Sequence, residues 1–275
     1  MLDISVIVPA RNAEAILEGC LQSIAAAQVR EIIVIDGCST DRTVEIAQRY
    51  ATRVESDEGR GLPAARLLGA RLASSETVAL VDADVVLPEG SLQRLIDEFR
   101  NDGYDALQAG LRSISAGDYW GEALATHHRW GRSKNWFGLV ATVFDRSTLL
   151  EHGFDSRFVS GEDIEMRWRL RDAGLKIGVS ERTTVIHRFE GGWRFARGQW
   201  NADGKGLARM VRKHGLRAVP LLALPVGGAV RGVALSLWRG KPKWIPYYLS
   251  YMLFNETAMF AELAGGRAGA PTLDP

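Results

Sequence analysis

Two carboxylates one residue apart close the apolar run from Thr77 to Asp84, TVALVDAD. Side chains of an extended segment alternate faces, so Asp82 and Asp84 are expected to point one way and Ala83 the other. Like charges held that close resist joint ionisation, and a hard divalent cation that also carries phosphate oxygens would relieve them. Acids simply solvated at a strand end, next to the turn at Pro88 to Gly90, would account for the same spacing.

The elements that must position such a pair are legible on either side of it. Ile4 to Val8, Glu31 to Asp36 and Thr77 to Asp82 are apolar, β-branched runs that read as buried strands. Helical stretches fall between and after them, at Ala13 to Ala27, Thr40 to Tyr50, Leu62 to Ala73 and Ser91 to Asn101. Ser39, Thr40 and Asp41 supply good cap residues for the second. This β-α-β-α order predicts an α/β fold with a mainly parallel mixed sheet flanked by helices, in which ligands bind at the carboxyl ends of the strands. Those ends carry Pro9, Ala10, Arg11 and Asn12, then Asp36 and Gly37, then Asp82 with Asp84.

The chain has 275 residues, enough for one large domain or a domain with an appendage. With only Cys20 and Cys38, neither a disulfide framework nor a multi-cysteine zinc site is expected. The opening MLDISVIVPA passes straight into a strand without the features of a signal peptide, and a cytoplasmic location is expected. A net charge of +1 hides an asymmetry: residues 1–185 hold 21 Lys and Arg against 28 Asp and Glu, whereas residues 186–245 hold 12 against 2. Such a basic stretch suits nucleic acid, phosphate or an anionic membrane, and composition alone does not choose.

Five ordered motifs narrow the reading. SVIVPARN, IVIDGCSTDRTVEIA, GRGLPAARLLGARLA, VALVDAD and SGEDIEMRWRLRDAG together resemble the family 2 glycosyltransferases, which have the nucleotide-sugar-binding GT-A fold. The resemblance spans roughly the first 190 residues and implies an inverting, metal-dependent transfer of sugar from a nucleoside diphosphate donor, with UDP favoured. It implies a catalytic domain at 1–190, its nucleotide-sugar half at about 1–105 and its acceptor half at about 106–190.

By this resemblance Asp36 reads the uracil, Pro9, Ala10 and Arg11 line the base and ribose pocket, and Gly61 and Arg66 lie towards the diphosphate, where a planar donor suits phosphate oxygens. Asp84 contacts Mn²⁺ or Mg²⁺ directly, Asp82 seats ribose and metal through water, Ala83 lies between them, and His187 is a further ligand. Glu162 and Asp163 correspond to the catalytic acids, with Asp163 as the general base that takes the acceptor hydroxyl's proton. Structural uses stand beside these roles: a turn acid for Asp36, a surface ion pair for Arg66, helix capping for Glu162 and Asp163, a packed histidine for His187. Alternation of Ile164, Met166, Trp168 and Leu170 suggests a strand, but the acids in front and Gly174 behind favour a helix. Tyr119 to Phe137, dense in aromatic and basic groups, is where relatives bind the acceptor; ordinary packing is the alternative.

Residues 191–275 read as a basic, then apolar, helical region. Ala218 to Trp238 and Trp244 to Ala264 are apolar but interrupted, the first by Pro220, Pro225 and Arg231 and the second by Asn255 and Glu256. Neither is a clean spanning helix, and an interfacial position at an anionic membrane on its cytoplasmic side is expected, with a homo-oligomer interface as the alternative. Arg209, Arg212, Lys213, His214 and Arg217 are expected to face headgroups, and Trp238, Trp244, Tyr247 and Tyr248 to form an aromatic belt. The expected partners are a nucleotide-sugar donor and a saccharide or lipid acceptor. Nucleic acid is not expected, since no binding motif accompanies the charge. A nucleotidyltransferase, or a silent nucleotide-binding scaffold at a membrane, remains as an alternative; PARNAEA lacks the glycine-rich loop of the former.

Overall fold

The computed structural model describes residues 1–115, 117–130, 136–158 and 160–265. The chain divides into two compact units, one of residues 1–112, 132–155 and 166–188, the other of residues 113–131, 156–165 and 189–275.

In the first unit, β1 (Leu2–Ala10), β2 (Val29–Asp36), β3 (Arg53–Ser56) and β4 (Thr77–Val81) pair in parallel in the order β3-β2-β1-β4. The helices between them are α1 (Leu17–Ala26), α2 (Thr43–Gln48) and α3 (Leu62–Leu72). After β4 the sheet turns mixed. It takes up β5 (Val85–Val86), β6 (Ala106–Ser115), β7 (Ala141–Asp145) and β8 (Ile177–Phe189), giving eight strands in the order β3-β2-β1-β4-β7-β6-β8-β5. The pairs β4–β7, β6–β7 and β5–β8 are antiparallel. Helices α4 (Ser91–Asn101), α5 (Tyr119–Trp130), α6 (Arg146–His152) and α7 (Glu162–Asp172) lie between these strands in sequence.

The central parallel strands β1, β2 and β4 carry continuous buried apolar runs because both faces are covered. Ile4, Val6 and Val8 of β1 enter one buried layer with α1 and α4, while Ile7 enters the opposite layer with α3, α6 and α7. Ile32 and Val34 of β2 face the first layer, and Ile33 and Ile35 the second. Helix α3 sits close on the sheet because Gly69 has no side chain: a Cβ there would lie 2.3 Å from Ile7 Cγ2.

The second unit is helical. α8 (Trp193–His214) runs through a 3₁₀ segment (Gly215–Ala223) into α9 (Leu224–Trp238), and a short 3₁₀ turn (Pro242–Trp244) leads to α10 (Ile245–Ala264). Its core joins Ala123, Leu124 and Ala125 of α5 to Trp200 of α8, Ala229 of α9 and Tyr247 and Tyr248 of α10. This is why the unit takes in 113–131 as well as the C-terminal region: α5 buries its apolar face among these helices.

Two expectations need correcting. The basic residues of α8 do not form a free cationic face. Arg209 and Arg212 pair with Glu262, and Lys213 donates to the buried Glu165 at 2.5 Å. Nor is there a belt of four aromatics, for Trp244, Tyr247 and Tyr248 are buried and Trp238 alone of the four is exposed. The aromatic and histidine-bearing stretch after Tyr119 is largely packed, with His127 against Tyr247, Tyr248 and Tyr251, and burial followed by the charge of Arg231 lowers the His127 pKa to about 4. Residues 131–135 of that stretch lie outside the described residues.

Gly69→Ala forces Ile7 or the helix to move and should destabilise the protein by about 1–3 kcal/mol, read from urea unfolding. Gly103→Ala, where a Cβ would meet nothing within 4 Å, serves as the open-space comparison, with only the strain of its positive φ.

Candidate active site

At the carboxyl end of β4 the chain does not continue extended. Asp82 donates its N–H to the Val140 carbonyl, and its own carbonyl accepts from Val85 at 3.0 Å, closing a turn over Asp82, Ala83 and Asp84. Strand alternation therefore stops short of the two acids, and each has its own partner.

Asp82 Oδ1 accepts from Arg66 at 2.8 Å. Arg66 lies on α3 and is almost wholly buried, so it is an interior ion pair and not the surface pair that its type alone allowed. Burial pushes the Asp82 carboxyl up; the Arg66 charge opposes this and the Asp84 charge adds to it. Asp84 Oδ2 lies 3.1 Å from His187 Nε2, because β5 and β8 pair Val85 with His187. Burial disfavours the imidazolium of His187, but its hydrogen bond to Asp84 and the charges of Asp84 and Asp82 raise its pKa overall. The other oxygen, Asp84 Oδ1, is buried and has no hydrogen-bond partner among the described residues. Arg188, which sequence reading passed over, fixes this turn: its N–H and side chain both donate to the Asp84 carbonyl, and its guanidinium also reaches the Ile16 carbonyl at 2.6 Å.

Neighbouring strand ends are tied together by side chains. Ala10 and Asp36 are register partners at the tips of β1 and β2, and the Asp36 carboxylate accepts from the Ser39 N–H at 3.1 Å. Asn12 accepts from the Thr40 N–H, Ser39 Oγ accepts from the Asn12 N–H, and Thr43 Oγ1 accepts from the Ala13 N–H. Asp41 accepts from Thr43, so the cap acts just ahead of α2, which begins at Thr43. The loop before α3 is built on Asp57, whose carboxylate accepts from the N–H groups of Gly59 and Gly61 at 2.8 Å each. Gly61 takes φ 94°, a conformation that favours glycine, and opens the helix that carries Arg66.

Pro9, Ala10, Arg11, Asp36, Gly61, Arg66, Asp82, Ala83, Asp84 and His187 thus all belong to the first unit. Glu162 and Asp163 belong to the second, in the first turn of α7, which is helical over Glu162–Asp172. Asp163 is buried. The turn before it is clamped on α8: Ser160 Oγ donates to the Ala202 carbonyl at 2.8 Å, and a Cβ on Gly161 would lie 2.9 Å from Gly206 Cα. This docking brings Asp203, another residue that local spacing did not single out, under the influence of Glu162. Asp203 reaches solvent, yet the protein around its carboxyl, with the Glu162 charge second, raises its pKa to about 7.

Among the described residues, no group of three or more His, Cys, Asp and Glu side chains converges closely enough to hold a metal by itself. Asp84 and His187 nevertheless offer two donors, one of them the carboxylate oxygen without a partner among the described residues, and two half-buried acids side by side favour a cation there.

The family model of glycosyl transferase family 2 matches residues 5–150, more than half of the chain and the whole of the parallel strand-end region. The chain belongs to this family. It is a glycosyltransferase with a GT-A fold. Among curated relatives of the family, the succinoglycan biosynthesis protein ExoA of Rhizobium meliloti is 25% identical over 255 residues, covering 86% of this chain and 76% of ExoA. Among solved structures, the mannosyltransferase PcManGT from Pyrobaculum calidifontis, in complex with GDP-Man and Mn²⁺, superposes with a TM-score of 0.64 at 19% identity, over 96% of this chain and 88% of that one. Glucosyl-3-phosphoglycerate synthase from Mycobacterium tuberculosis, in complex with Mn²⁺, UDP and glucosyl-3-phosphoglycerate, gives 0.57 at 22% identity, over 77% and 79% of the two chains. Those two structural likenesses bear on the fold.

A carboxyl whose pKa is raised on folding makes the folded state bind more protons, so its cost to stability is absent below about pH 4 and complete above about pH 7. Asp203→Asn should therefore raise the melting temperature at pH 8 relative to the parent protein and leave it little changed at pH 4. Equal shifts at both values would show that Asp203 is not held protonated by the fold.

Proposed function

We propose that the enzyme transfers a sugar from a nucleoside diphosphate donor, UDP-linked by preference, to a hydroxyl of a saccharide or lipid-linked acceptor, with inversion and with the aid of Mn²⁺ or Mg²⁺. It works at the cytoplasmic face of a membrane. The observation that carries this reading is the buried Asp84 Oδ1, unpartnered among the described residues, beside His187, at the same end of the parallel sheet as Asp36 on β2 and next to the Asp82 that Arg66 of α3 holds.

The residues divide the work. Pro9, Ala10 and Arg11 line the base and ribose, and Asp36 accepts the base N–H. A carboxylate has about four acceptor positions, so the bond from Ser39 leaves capacity for the base. Arg66 fixes Asp82 and presents a planar set of donors to the diphosphate. Asp82 seats the ribose, while Asp84 with His187 would hold the divalent ion. That ion would supply charge neutralisation to the departing nucleoside diphosphate. Asp163 takes the proton of the acceptor hydroxyl as the new bond to the anomeric carbon forms, and Glu162 accepts from acceptor hydroxyls beside it. A proton acceptor and a leaving group acting on opposite faces of that carbon invert it.

Donor choice is supported by Asp36, and acceptor class by the name of ExoA, which places that relative in succinoglycan biosynthesis. The GDP-Man bound to PcManGT makes guanosine the competing base. Membrane location is supported by the helical run 193–238, the one run among the described residues long and apolar enough by length and composition to cross a membrane.

A thermal-shift panel of UDP-sugars and GDP-mannose, with and without Mn²⁺, tests the reading: metal-dependent stabilisation by UDP-sugars is expected, and no response to any nucleotide would overturn it. Asp163→Asn should cut turnover about a hundredfold or more with donor binding kept; unchanged turnover removes Asp163 from the base role. NMR of the fresh linkage from an α-linked donor should give the β-anomer, and an α-linked product would exclude inversion.

A further inference from the structure

Helices α9 and α10 each carry an apolar stripe at helical spacing, turned away from the second unit's core. On α9, Ala229, Gly232 and Ser236 are buried, and Gly232 packs so closely on Tyr248 that a Cβ would lie 2.0 Å from its ring. On the opposite face Val226, Val230, Leu237 and Trp238 are exposed, Val230 at 64% and Trp238 at 79%. On α10, Tyr247, Asn255 and Met259 face inward, while Leu249, Leu253 and Phe260 are exposed at 52%, 55% and 58%. Large apolar side chains repeated on two packed helices exceed the scattered exposure normal for a soluble surface.

Charge says what covers this face. From Gly215 to Ala261 there are five Lys and Arg against one acid, Glu256. The turn between the two helices holds Arg239, Lys241 and Lys243, all exposed, with Arg239 5.9 Å from the ring of Trp238. Arg231, within the α9 stripe, turns its guanidinium back to the Trp130 carbonyl. A twofold pairing of this face with a second copy would bring like charges together, whereas an anionic bilayer meets both the apolar stripe and the cationic turn.

Packing decides how the helices lie. One face of α9 is buried against α10, with Gly232 tight on Tyr248, so α9 offers lipid an apolar surface on its outward side only. α10 has 20 residues, but its inner face packs on the charged α8, where Gly204 approaches the Asn255 backbone.

We propose that the outward face of α9 and α10 docks in the interface of an anionic bilayer, lying along the surface with Trp238 inserted and Arg239, Lys241 and Lys243 at the headgroups. This rests on the membrane location proposed above and assigns it to one surface of the second unit. Full-length protein is mixed with phosphatidylcholine vesicles containing about a third phosphatidylglycerol and with pure phosphatidylcholine vesicles, and bound protein is sedimented. Binding is expected to the anionic vesicles, weakened by salt and reversed by alkaline carbonate. The triple variant Val230→Ser, Leu237→Ser, Trp238→Ala should lose about tenfold or more of this binding with an unchanged melting temperature, and Lys241→Glu with Lys243→Glu should lose it similarly. Acyl-brominated lipid should quench the parent's tryptophan emission more than that of Trp238→Phe. Carbonate-resistant protein, or a dimer by light scattering without vesicle binding, overturns the proposal. UDP-sugar stabilisation measured on the same samples separates the two readings, since its loss in all of them would condemn the enzyme reading and leave the surface standing.

Discussion

Two carboxylates at the end of one buried strand cannot both remain charged without separate compensation, and much of the first unit's architecture follows from that demand. The chain meets it by ending β4 at Val81 and turning, so that Asp82 faces Arg66 and Asp84 faces His187. Each partner needs its own support. Arg66 is placed by a helix that starts on the Asp57–Gly61 loop and lies close to β1 at Gly69. His187 is placed by the antiparallel pairing of β5 with β8, and the turn is locked by Arg188. Removing a single partner would leave a charge in low-dielectric surroundings, which is costlier than the pair is favourable.

The second unit answers a different constraint. Its α7 acids begin a helix, where an N-terminus favours negative charge, and glycine-to-glycine contact with α8 holds that turn in place. Glu165, one turn further on, is an interior ion-pair residue tied to Lys213, so three acids in four positions have different surroundings. Proximity in sequence says little about shared role here.

Much of this was legible beforehand. β1, β2 and β4 each carry a continuous buried apolar run because helices cover both faces, so run length reveals them, and the five motifs point to the family. What escaped has a common cause in distance along the chain. Arg188 contacts Ile16, Arg209 contacts Glu262, and Asp203 feels the charge of Glu162, none of them local patterns. Strands such as β3, four residues long, and β8, which alternates polar and apolar residues, give weak signals. Strand alternation could not place Asp82 and Asp84, because periodicity describes a strand only while the strand continues and β4 ends at Val81. An acid followed by glycines two and four residues on, as at Asp57, is one signal that could have been read.

The ties between the loops after β1 and β2 carry a consequence for recognition. Asn12, Ser39, Thr40 and Thr43 cross-link two connections that would otherwise be free to sample many shapes. Their ordering is achieved when the protein folds, so a ligand arriving at these strand ends does not lose binding energy to freezing them. On the proposed donor assignment, discrimination at this corner would rest on the few side-chain edges it presents, Arg11 and Asp36 foremost, the latter also holding the Ser39 N–H in place.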